Sequence, residues 1–168
     1  MTTRTTTTLV ALGTNLGDRQ AHLEAGLRGL AALAEVAAVS RIVETPPWGP
    51  VPQGDFLNAV ARLRTSLDPR SLLRQLQGLE DATGRLRLVD QGPRTLDLDI
   101  ILFGSLVLDE PGLRIPHPRW LERPFVRNLA IEVAGELRDP LSGRRVADLD
   151  PLPGALRPWA MPGITVDR

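Results

Sequence analysis

Two aspartates stand two positions apart in the most apolar segment of the sequence, LDLDIILF at residues 96–103. The alternating pattern predicts a β-strand, which would place Asp97 and Asp99 on the same side with their Cα atoms roughly 6.5 Å apart. Like charges this close repel each other, and partial burial of each ion is costly unless a positive partner lies nearby. A shared divalent cation would turn the pair into a binding site. An edge strand with one solvated face is the simpler alternative.

Arginines surround the predicted acidic strand. Arg85, Arg87 and Arg94 lie in or beside the preceding loop, and Arg119 and Arg123 follow the strand. The sequence contains no lysine, which excludes a Walker A loop, a kinase-type strand lysine and a Schiff base. Arginine must therefore bind any phosphate. Two carboxylates on a strand with several guanidinium groups on loops suit a polyphosphate with Mg²⁺.

Alternating patterns of apolar residues predict the elements that position these side chains. The predicted strands are Thr6–Leu12, Val36–Glu44, Phe56–Thr65, the acidic strand and a return strand at Leu106–Leu108. The first predicted helix has an apolar stripe at Leu23, Leu27, Leu30 and Ala34, and Asn15 or Asp18 is expected to cap it. The second begins at Asp68–Pro69 and ends at Gly84. The third spans Phe125–Leu137. Loops are expected at 45–50 and 85–94.

The order β-α-β-β-α-β with short connections predicts an α+β, ferredoxin-like fold: a mainly antiparallel sheet with helices packed on its faces. A doubly wound parallel sheet would need a crossover helix after nearly every strand, and only a proline-rich loop joins the second and third strands. At 168 residues the chain is expected to form a single domain, residues 1–168, with its core at about 9–137 and a Pro/Gly-rich segment at 139–168.

The overall composition excludes several classes of function. The formal net charge is zero, which argues against nucleic acid or an anionic membrane surface as a partner. Cysteine is absent, which excludes disulfides, thiolate zinc sites and a thiol nucleophile. No apolar run approaches the ~20 residues that span a bilayer, and the threonine-rich N-terminus lacks the apolar core of a signal peptide. We therefore expect a cytoplasmic monomer without a membrane partner.

Several short motifs follow one another along the chain. They are ALGTNLGDR (11–19), ETPPWGP (44–50), DFLNA (55–59), GRLR (84–87) with GPRTLDLDI (92–100), and IPHPR (115–119). Together they resemble the 6-hydroxymethyl-7,8-dihydropterin pyrophosphokinase family of folate biosynthesis. The resemblance runs from about Leu9 to about Leu137. Each motif alone has low specificity, and their shared order carries the resemblance.

The resemblance implies transfer of a diphosphate from ATP to the hydroxymethyl group of 6-hydroxymethyl-7,8-dihydropterin, with release of AMP. In this family two Mg²⁺ ions are held by aspartates that match Asp97 and Asp99. These aspartates, with Arg85 and Arg94, are the implied catalytic residues. The metal would bridge phosphate oxygens and lower the pKa of the attacking alcohol. Asp97 is a weak candidate for a general base.

The resemblance also implies two binding sites. The pterin residues are Thr45, Pro46, Phe56, Asn58 and Phe125, and the ATP residues are Gln77, Glu80, Arg85, Arg87, Arg94, His117 and Arg123. Aromatic rings can stack on both faces of a flat pterin, and an amide can pair with its edge. Strand alternation places Phe56 and Asn58 on one face. The helical spacing of Gln77 and Glu80 predicts that they share one face of the helix, opposite the leucine stripe. The opening GTNLGDR is interpreted as a structural turn without a ligand.

Three positions depart from the family pattern. Gln91 stands where many relatives have an aromatic residue, Arg114 where threonine is common, and Pro118 where relatives often have tyrosine. We therefore expect looser closure of the site and a modest affinity for ATP.

Three alternative functions stay open at the level of sequence. The first is another two-metal phosphoryl enzyme, such as a nucleotidyltransferase or a nuclease. The second is a non-catalytic ferredoxin-like domain that binds a ligand or RNA. The third is an inactive member of the same family.

Overall fold

The computed structural model describes residues 4–84 and 92–161. In this part of the chain the strands are β1 (Thr6–Thr14), β2 (Glu35–Val39), β3 (Val43–Thr45), β4 (Phe56–Thr65), β5 (Asp97–Phe103), β6 (Leu108–Glu110), β7 (Leu113–Ile115) and β8 (Arg157–Pro158). The helices are α1 (Arg19–Leu33), α2 (Pro69–Ala82) and α3 (Pro124–Val133), and a short 3-10 helix spans Val146–Asp148. These elements confirm the predicted α+β class. None of the described helices is both long and apolar enough to cross a membrane.

Antiparallel pairs build the main sheet in the order β5-β1-β4-β3-β8, and β2 pairs with β4 beside β3. β1 lies between β4 and β5. Its Ala11 pairs with Asp99 on β5. Its Gly13 pairs with Asp97 on one side and with Asn58 on the other. The register therefore brings the acidic pair of β5 and the polar residue of β4 to the same end of the sheet.

The two faces of the sheet are covered by different helices. Helices α1 and α2 cover one face, where Leu30 and Leu76 are fully buried. Helix α3 covers the other face, where its Leu129 is fully buried. Because α3 has ten residues and is about 15 Å long, it leaves the end of this face that carries Asn58 and the acidic pair open to a cavity.

Side-chain caps begin the first two helices, as the sequence predicts. Asp68 Oδ1 accepts a hydrogen bond from the backbone N–H of Ser71 at 2.9 Å, and the bonds from Ser71 lower the pKa of Asp68. Asp18 Oδ1 accepts from the backbone N–H of Ala21 at 3.1 Å. Of the two predicted caps of α1, Asp18 is therefore the one used, and the side chain of Asn15 bonds elsewhere.

The predicted strand over Val36–Glu44 is interrupted, which divides it into β2 and β3. Ser40 bonds Val60 on β4 twice, since its N–H donates to the Val60 carbonyl at 2.8 Å and its hydroxyl accepts from the Val60 N–H at 2.9 Å. The side chain thus replaces part of the regular ladder. Helix α3 is also shorter than predicted and ends at Val133, because Gly135 follows with a left-handed φ of 57°.

The predicted return strand at Leu106–Leu108 is wrong. Residues Leu108–Glu110 pair instead with Leu113–Ile115 in a separate two-stranded sheet. Pro111 and Gly112 join these two strands, and Gly112 has a φ of 78°. A Pro-Gly pair with this geometry favours a tight turn, so β6 folds back on β7 rather than on β5.

Candidate active site

A cavity of about 410 Å³ opens at the uncovered end of the α3 face. Strands β1, β4 and β5 form its floor, and the loop after β3 and the start of α3 form its walls. The predicted residues that line it are Thr45, Pro46, Phe56, Asn58, Arg94, Asp97, Asp99, His117, Arg123 and Phe125. Residues from five separate parts of the sequence therefore share one site.

The acidic pair lies on the floor of this cavity. Asp97 Oδ2 accepts a hydrogen bond from Arg94 Nη1 at 2.8 Å. Burial of its own carboxyl group, and then the charges of Asp97 and Glu80, raise the pKa of Asp99 to about 7, while Arg94 and Arg123 act in the opposite direction. Near neutral pH Asp99 therefore holds a proton for part of the time, and a cation is the natural replacement for that proton.

Asp97 and Asp99 offer a donor pair that would suit a magnesium ion with further oxygen ligands from outside the protein. Among residues 4–84 and 92–161, no three His, Cys, Asp or Glu side chains come together as a complete metal cage. Mg²⁺ commonly takes one or two protein carboxylates and completes its shell with water and phosphate oxygens. Asp97 and Asp99 form such a donor pair, since burial and then the charge of Asp97 raise the pKa of Asp99.

Asparagine at position 99 is expected to change how the stability of the metal-free protein depends on pH. The pKa of Asp99 is about 7 in the folded protein and 3.8 in a model compound. Between these values the folded state binds a proton that the unfolded state has lost, so this carboxyl destabilises the fold as the pH rises. The Tm of Asp99→Asn minus that of the parent protein should therefore increase between about pH 5 and about pH 7.5. Calorimetry in EDTA measures this difference.

His117 makes the stability of the fold depend on pH in the opposite direction from Asp99. Its pKa is lowered from 6.5 to about 4, so the unfolded state binds a proton first as the pH falls. The stability of the fold therefore decreases as the pH drops from about 6.5 to about 4. Because both proteins contain His117, its effect cancels in the difference between them. A difference in Tm that is equal at both pH values would contradict the assigned pKa of Asp99.

Arg123 brings a half-buried guanidinium group to the cavity. It precedes the first residue of α3, and its buried Nε has no hydrogen-bond partner within the described part of the chain. Burial lowers the pKa of Arg123, whereas Asp99 and Asp97 raise it, and a guanidinium group stays charged under such conditions. A buried donor that lacks an acceptor fits an oxyanion ligand such as phosphate.

The other predicted arginines differ from Arg123 in their contacts or lie outside the described residues. Arg94 is bonded to Asp97 and also donates its backbone N–H to Asn15 Oδ1 at 2.8 Å. Arg85 and Arg87 lie outside the described residues, so their roles stay predictions. Of the arginines that surround the acidic strand in the sequence, Arg94, Arg119 and Arg123 are among the described residues, and all three line the cavity.

His117 is neutral at physiological pH. Burial, and then the charge of Arg123, lower its pKa to about 4, with Asp97 acting in the opposite direction. Its backbone N–H donates to the carbonyl of Ile101 at 2.9 Å, which anchors this segment on the edge of β5. A neutral imidazole offers one donor and one acceptor. His117 can therefore hydrogen-bond a ligand but cannot neutralise its charge.

Another part of the cavity wall, called here its aromatic end, fits a flat ring with polar edges. Phe56 and Phe125 line it from β4 and α3, and Trp48 meets Phe125 edge-on with ring centroids 6.1 Å apart. Asn58 is 6% exposed, and its Nδ2 donates to Thr45 Oγ1 at 2.7 Å. This bond orients the amide, which keeps one further N–H and its oxygen for the edge of a ligand.

The sequence of this chain is similar to those of known proteins. Residues 9–135 match the model of the family described as 7,8-dihydro-6-hydroxymethylpterin-pyrophosphokinase, or HPPK. The chain belongs to the HPPK family.

Individual relatives show how far the similarity extends. The 2-amino-4-hydroxy-6-hydroxymethyldihydropteridine pyrophosphokinase of Pseudomonas aeruginosa is 43% identical over 142 residues, which cover 83% of this chain and 87% of that protein. The protein of the same name from Bacillus subtilis is 44% identical over 119 residues, 70% of this chain and 71% of that protein. The folic acid synthesis protein fol1 of Pneumocystis carinii is 37% identical over 143 residues, 82% of this chain and 19% of that protein.

A solved structure confirms the shared fold. The crystal structure of Plasmodium falciparum HPPK-DHPS with pteroate has a TM-score of 0.67 at 13% identity, over 88% of this chain and 44% of that chain. The chain thus spans about a fifth of the fungal protein and less than half of the Plasmodium protein.

Two of the described residues predicted to bind ATP, Gln77 and Glu80, do not line the cavity that contains the acidic pair. Glu80 is 4% exposed, and its Oε2 accepts the backbone N–H of Leu98 at 2.9 Å. It continues the i, i+4 spacing of Leu72 and Leu76 on the buried side of α2, whereas Gln77 is exposed. The prediction that Gln77 and Glu80 share a face opposite the leucines is therefore wrong. Their roles as ATP ligands stay predictions.

Gly13 and Trp48 belong to the site but were not predicted from the sequence. A Cβ on Gly13 would lie 3.0 Å from Asn58 Oδ1 and 3.5 Å from the ring of Phe56, so glycine keeps this part of the cavity open. Trp48 is 46% exposed and lines the cavity from the proline-rich loop. A glycine inside a strand is the signal that could have revealed the first residue, and an exposed aromatic in a loop the second.

A second cavity, also of about 410 Å³, opens beside the edge of β5. Leu73, Ile100, Leu113, Arg114 and Pro118 line it, and it shares Asp99 and His117 with the first cavity. Two of the departures from the family pattern, at 114 and 118, therefore lie in this second cavity. The third, Gln91, lies outside the described residues.

Proposed function

We propose that this chain transfers a diphosphate from ATP to the hydroxymethyl group of 6-hydroxymethyl-7,8-dihydropterin in folate biosynthesis, with two Mg²⁺ ions at Asp97 and Asp99. The observation that carries the proposal is the shared cavity, in which the acidic pair and Arg123 lie beside a pocket for a flat ring. The membership of the chain in the HPPK family supports it.

The pterin would occupy the aromatic end of the first cavity. Phe56 and Phe125 would contact its faces, and stacking contributes ~0.5–1.5 kcal/mol per pair beyond burial. The oriented amide of Asn58 would pair with its edge. The hydroxymethyl group would then extend toward the acidic pair, since Gly13 joins Asn58 and Asp97 across neighbouring strands.

ATP would enter from the second cavity. Leu73, Ile100 and Leu113 provide apolar surface for an adenine ring, and Arg114 can contact the ribose or a phosphate. Asp99 and His117 line both cavities, so the phosphates would pass between these residues into the first cavity. This arrangement would direct the β-phosphorus toward the hydroxymethyl oxygen.

The transfer breaks the bond between the β-phosphorus and the oxygen that bridges it to the α-phosphorus. The hydroxymethyl oxygen forms the new bond to the β-phosphorus, its proton passes to solvent water, and AMP leaves with the bridging oxygen. Bound Mg²⁺ would neutralise phosphate oxygens and lower the pKa of the attacking alcohol. Arg123 would donate hydrogen bonds to the transferred group. Neutral His117, with its pKa of about 4, is too weak a base to take the proton efficiently at neutral pH.

Formation of AMP from ATP, the pterin alcohol and MgCl₂ tests the proposed function. We expect AMP only when all three are present, and none when a 6-methyl analogue without the hydroxyl replaces the pterin. A nuclease would instead cut nucleic acid without the pterin, and a binding domain would not require Mg²⁺. An inactive relative would bind both substrates without turnover. The expected cytoplasmic location, monomeric state and single domain stay predictions.

Replacing Gly13 with alanine is expected to lower kcat/KM for the pterin about tenfold with little change in KM for ATP. The added methyl group would lie 3.0 Å from Asn58 Oδ1, and the bond from Asn58 to Thr45 limits how far that amide can move. Steady-state kinetics with each substrate varied in turn measure the effect.

Gly78→Ala is the matched control for this substitution. A Cβ at Gly78 meets no atom within 4 Å, and the residue lies inside α2. Alanine there should leave the kinetics unchanged and stabilise the helix by ~0.5–1 kcal/mol. Equal kinetic effects of the two substitutions would contradict the role given to Gly13.

A further inference from the structure

The C-terminal strap, defined here as residues 157–161, extends the main sheet beyond its β3 edge. Its first two residues form β8, which pairs antiparallel with β3. The N–H of Trp159 donates to the carbonyl of Ile42 at 2.9 Å, and Met161 is 9% exposed and packs in the core under α1 and α2. The strap lies after residue 135, where the match to the family model ends.

The strap contacts both ends of the loop that covers the pterin pocket. We call residues 46–55 the substrate loop. Arg157 Nη2 lies 2.7 Å from Glu44 Oε1, just before this loop, and 2.7 Å from Asp55 Oδ2, at its end. Arg19 makes a parallel connection, since its Nη1 lies 2.8 Å from Glu44 Oε2 and 3.0 Å from the carbonyl of Asp55. The guanidinium of Arg19 also lies over the ring of Trp159, 5.0 Å from its centroid.

The substrate loop forms part of the wall of the first cavity. Pro46, Trp48 and Gln53 line that cavity, and Trp48 packs against Phe125. Gln53 Oε1 accepts a hydrogen bond from Asn15 at 2.9 Å. The loop therefore carries Trp48 to the pocket, and its path is fixed by contacts of its own residues such as Gln53 and Asp55.

Pairing of Thr45 with Phe56 across β3 and β4 joins the two ends of the substrate loop. We infer that Arg157 is a positioning residue, which fixes Asp55 at the end of this loop against Glu44 of β3 and thereby shapes the pterin end of the cavity. This inference deepens the proposed function and depends on it for the identity of the ligand. Arg157 is 61% exposed, and exposed ion pairs contribute little to global stability. One of its two carboxylate partners, Asp55, is the last residue of the loop, and the other, Glu44, lies in β3 two residues before the loop begins. Loss of Arg157 should therefore change the loop more than the fold.

The test compares Arg157→Ala with Arg157→Lys and with a matched control in the full-length protein. Arg70→Ala is the control, because Arg70 makes an exposed ion pair of 2.7 Å with Glu110 away from the substrate loop. Calorimetric titration with the pterin alcohol and with an ATP analogue gives the two dissociation constants. Acrylamide quenching of fluorescence reports the exposure of Trp48, which is obtained as the difference from Trp48→Phe.

For Arg157→Ala we expect a pterin dissociation constant about three- to fivefold higher and faster quenching of Trp48, with unchanged affinity for the ATP analogue and unchanged Tm. Arg157→Lys should recover part of both effects, and Arg70→Ala should show neither. Asp55→Asn, which weakens one of the two ion pairs, should show a smaller effect in the same direction.

Two results would overturn the inference. In the first, Arg157→Ala leaves both pterin affinity and Trp48 quenching unchanged, so that the strap only covers an edge strand. In the second, pterin affinity, ATP affinity and Tm all fall together, which indicates general destabilisation. If the parent protein binds no pterin, the proposed function fails, while quenching in the ligand-free proteins still decides whether Arg157 positions the loop.

Discussion

Replacing Asp97 with alanine is expected to lower turnover by about three orders of magnitude. Asp97 is one of the two carboxylates that would hold Mg²⁺ against the phosphates, and it also accepts the hydrogen bond from Arg94. Its loss would remove a metal ligand and the partner that orients this arginine. AMP formation at saturating ATP, measured over a range of MgCl₂ concentrations, checks the prediction.

Folding and chemistry can be separated in this variant. The charge of Asp97 raises the pKa of Asp99, so its removal relieves a repulsion, and the Tm should not fall. Glu136→Ala is the control, because that side chain is an acidic residue with 94% exposure, and it should keep full turnover. A loss of less than about tenfold in Asp97→Ala would show that Asp97 does not bind an essential metal ion.

Replacing Arg123 with alanine is expected to lower kcat about a hundredfold or more, with a smaller change in KM for either substrate. The buried Nε of Arg123 has no hydrogen-bond partner among the described residues, and its guanidinium lies in the field of Asp97 and Asp99. A phosphoryl group that gains negative charge during transfer would supply the missing acceptor. Single-turnover measurements with both substrates saturating isolate this step.

Two further variants sharpen the test of Arg123. Lysine at this position keeps the charge but loses the planar fork that matches a phosphate, so it should recover only part of kcat. Arg28→Ala is the control, since Arg28 is exposed on α1, which covers the other face of the sheet. If Arg123→Ala raised only KM for ATP and left kcat unchanged, Arg123 would bind the ground state rather than the transition state.

Local patterns in the sequence predicted the elements that need only neighbouring residues. The alternation of apolar residues placed β4 at Phe56–Thr65, as observed, and the Asp68–Pro69 pair predicted the start of α2. Alternation along β5 placed Asp97 and Asp99 on one face, and both line the cavity. These features depend on backbone geometry with a period of two or 3.6 residues, so the amino-acid order alone determines them.

Only the tertiary structure decided the orientation of Glu80 and the importance of Gly13. A carboxylate in a helix is expected at the surface, yet Glu80 is buried because the N–H of Leu98 on β5 satisfies it. The sequence predicts a turn at Gly13, whereas its role depends on Asn58, which strand pairing brings next to it. In both cases the deciding partner is distant in the chain.

The C-terminal segment shows most clearly that local sequence patterns do not predict contacts between distant residues. Nothing in residues 151–168 indicated a structural role, because two residues of strand carry no recognisable period. The fold placed Arg157 between Glu44 and Asp55, more than a hundred residues away from each. The sequence thus determined the chemistry that is available, which is an acidic pair, arginines without lysine, and aromatic residues beside an amide. The long-range pairing of strands determined which of these side chains meet, since contact between distant segments depends on packing rather than on local preference.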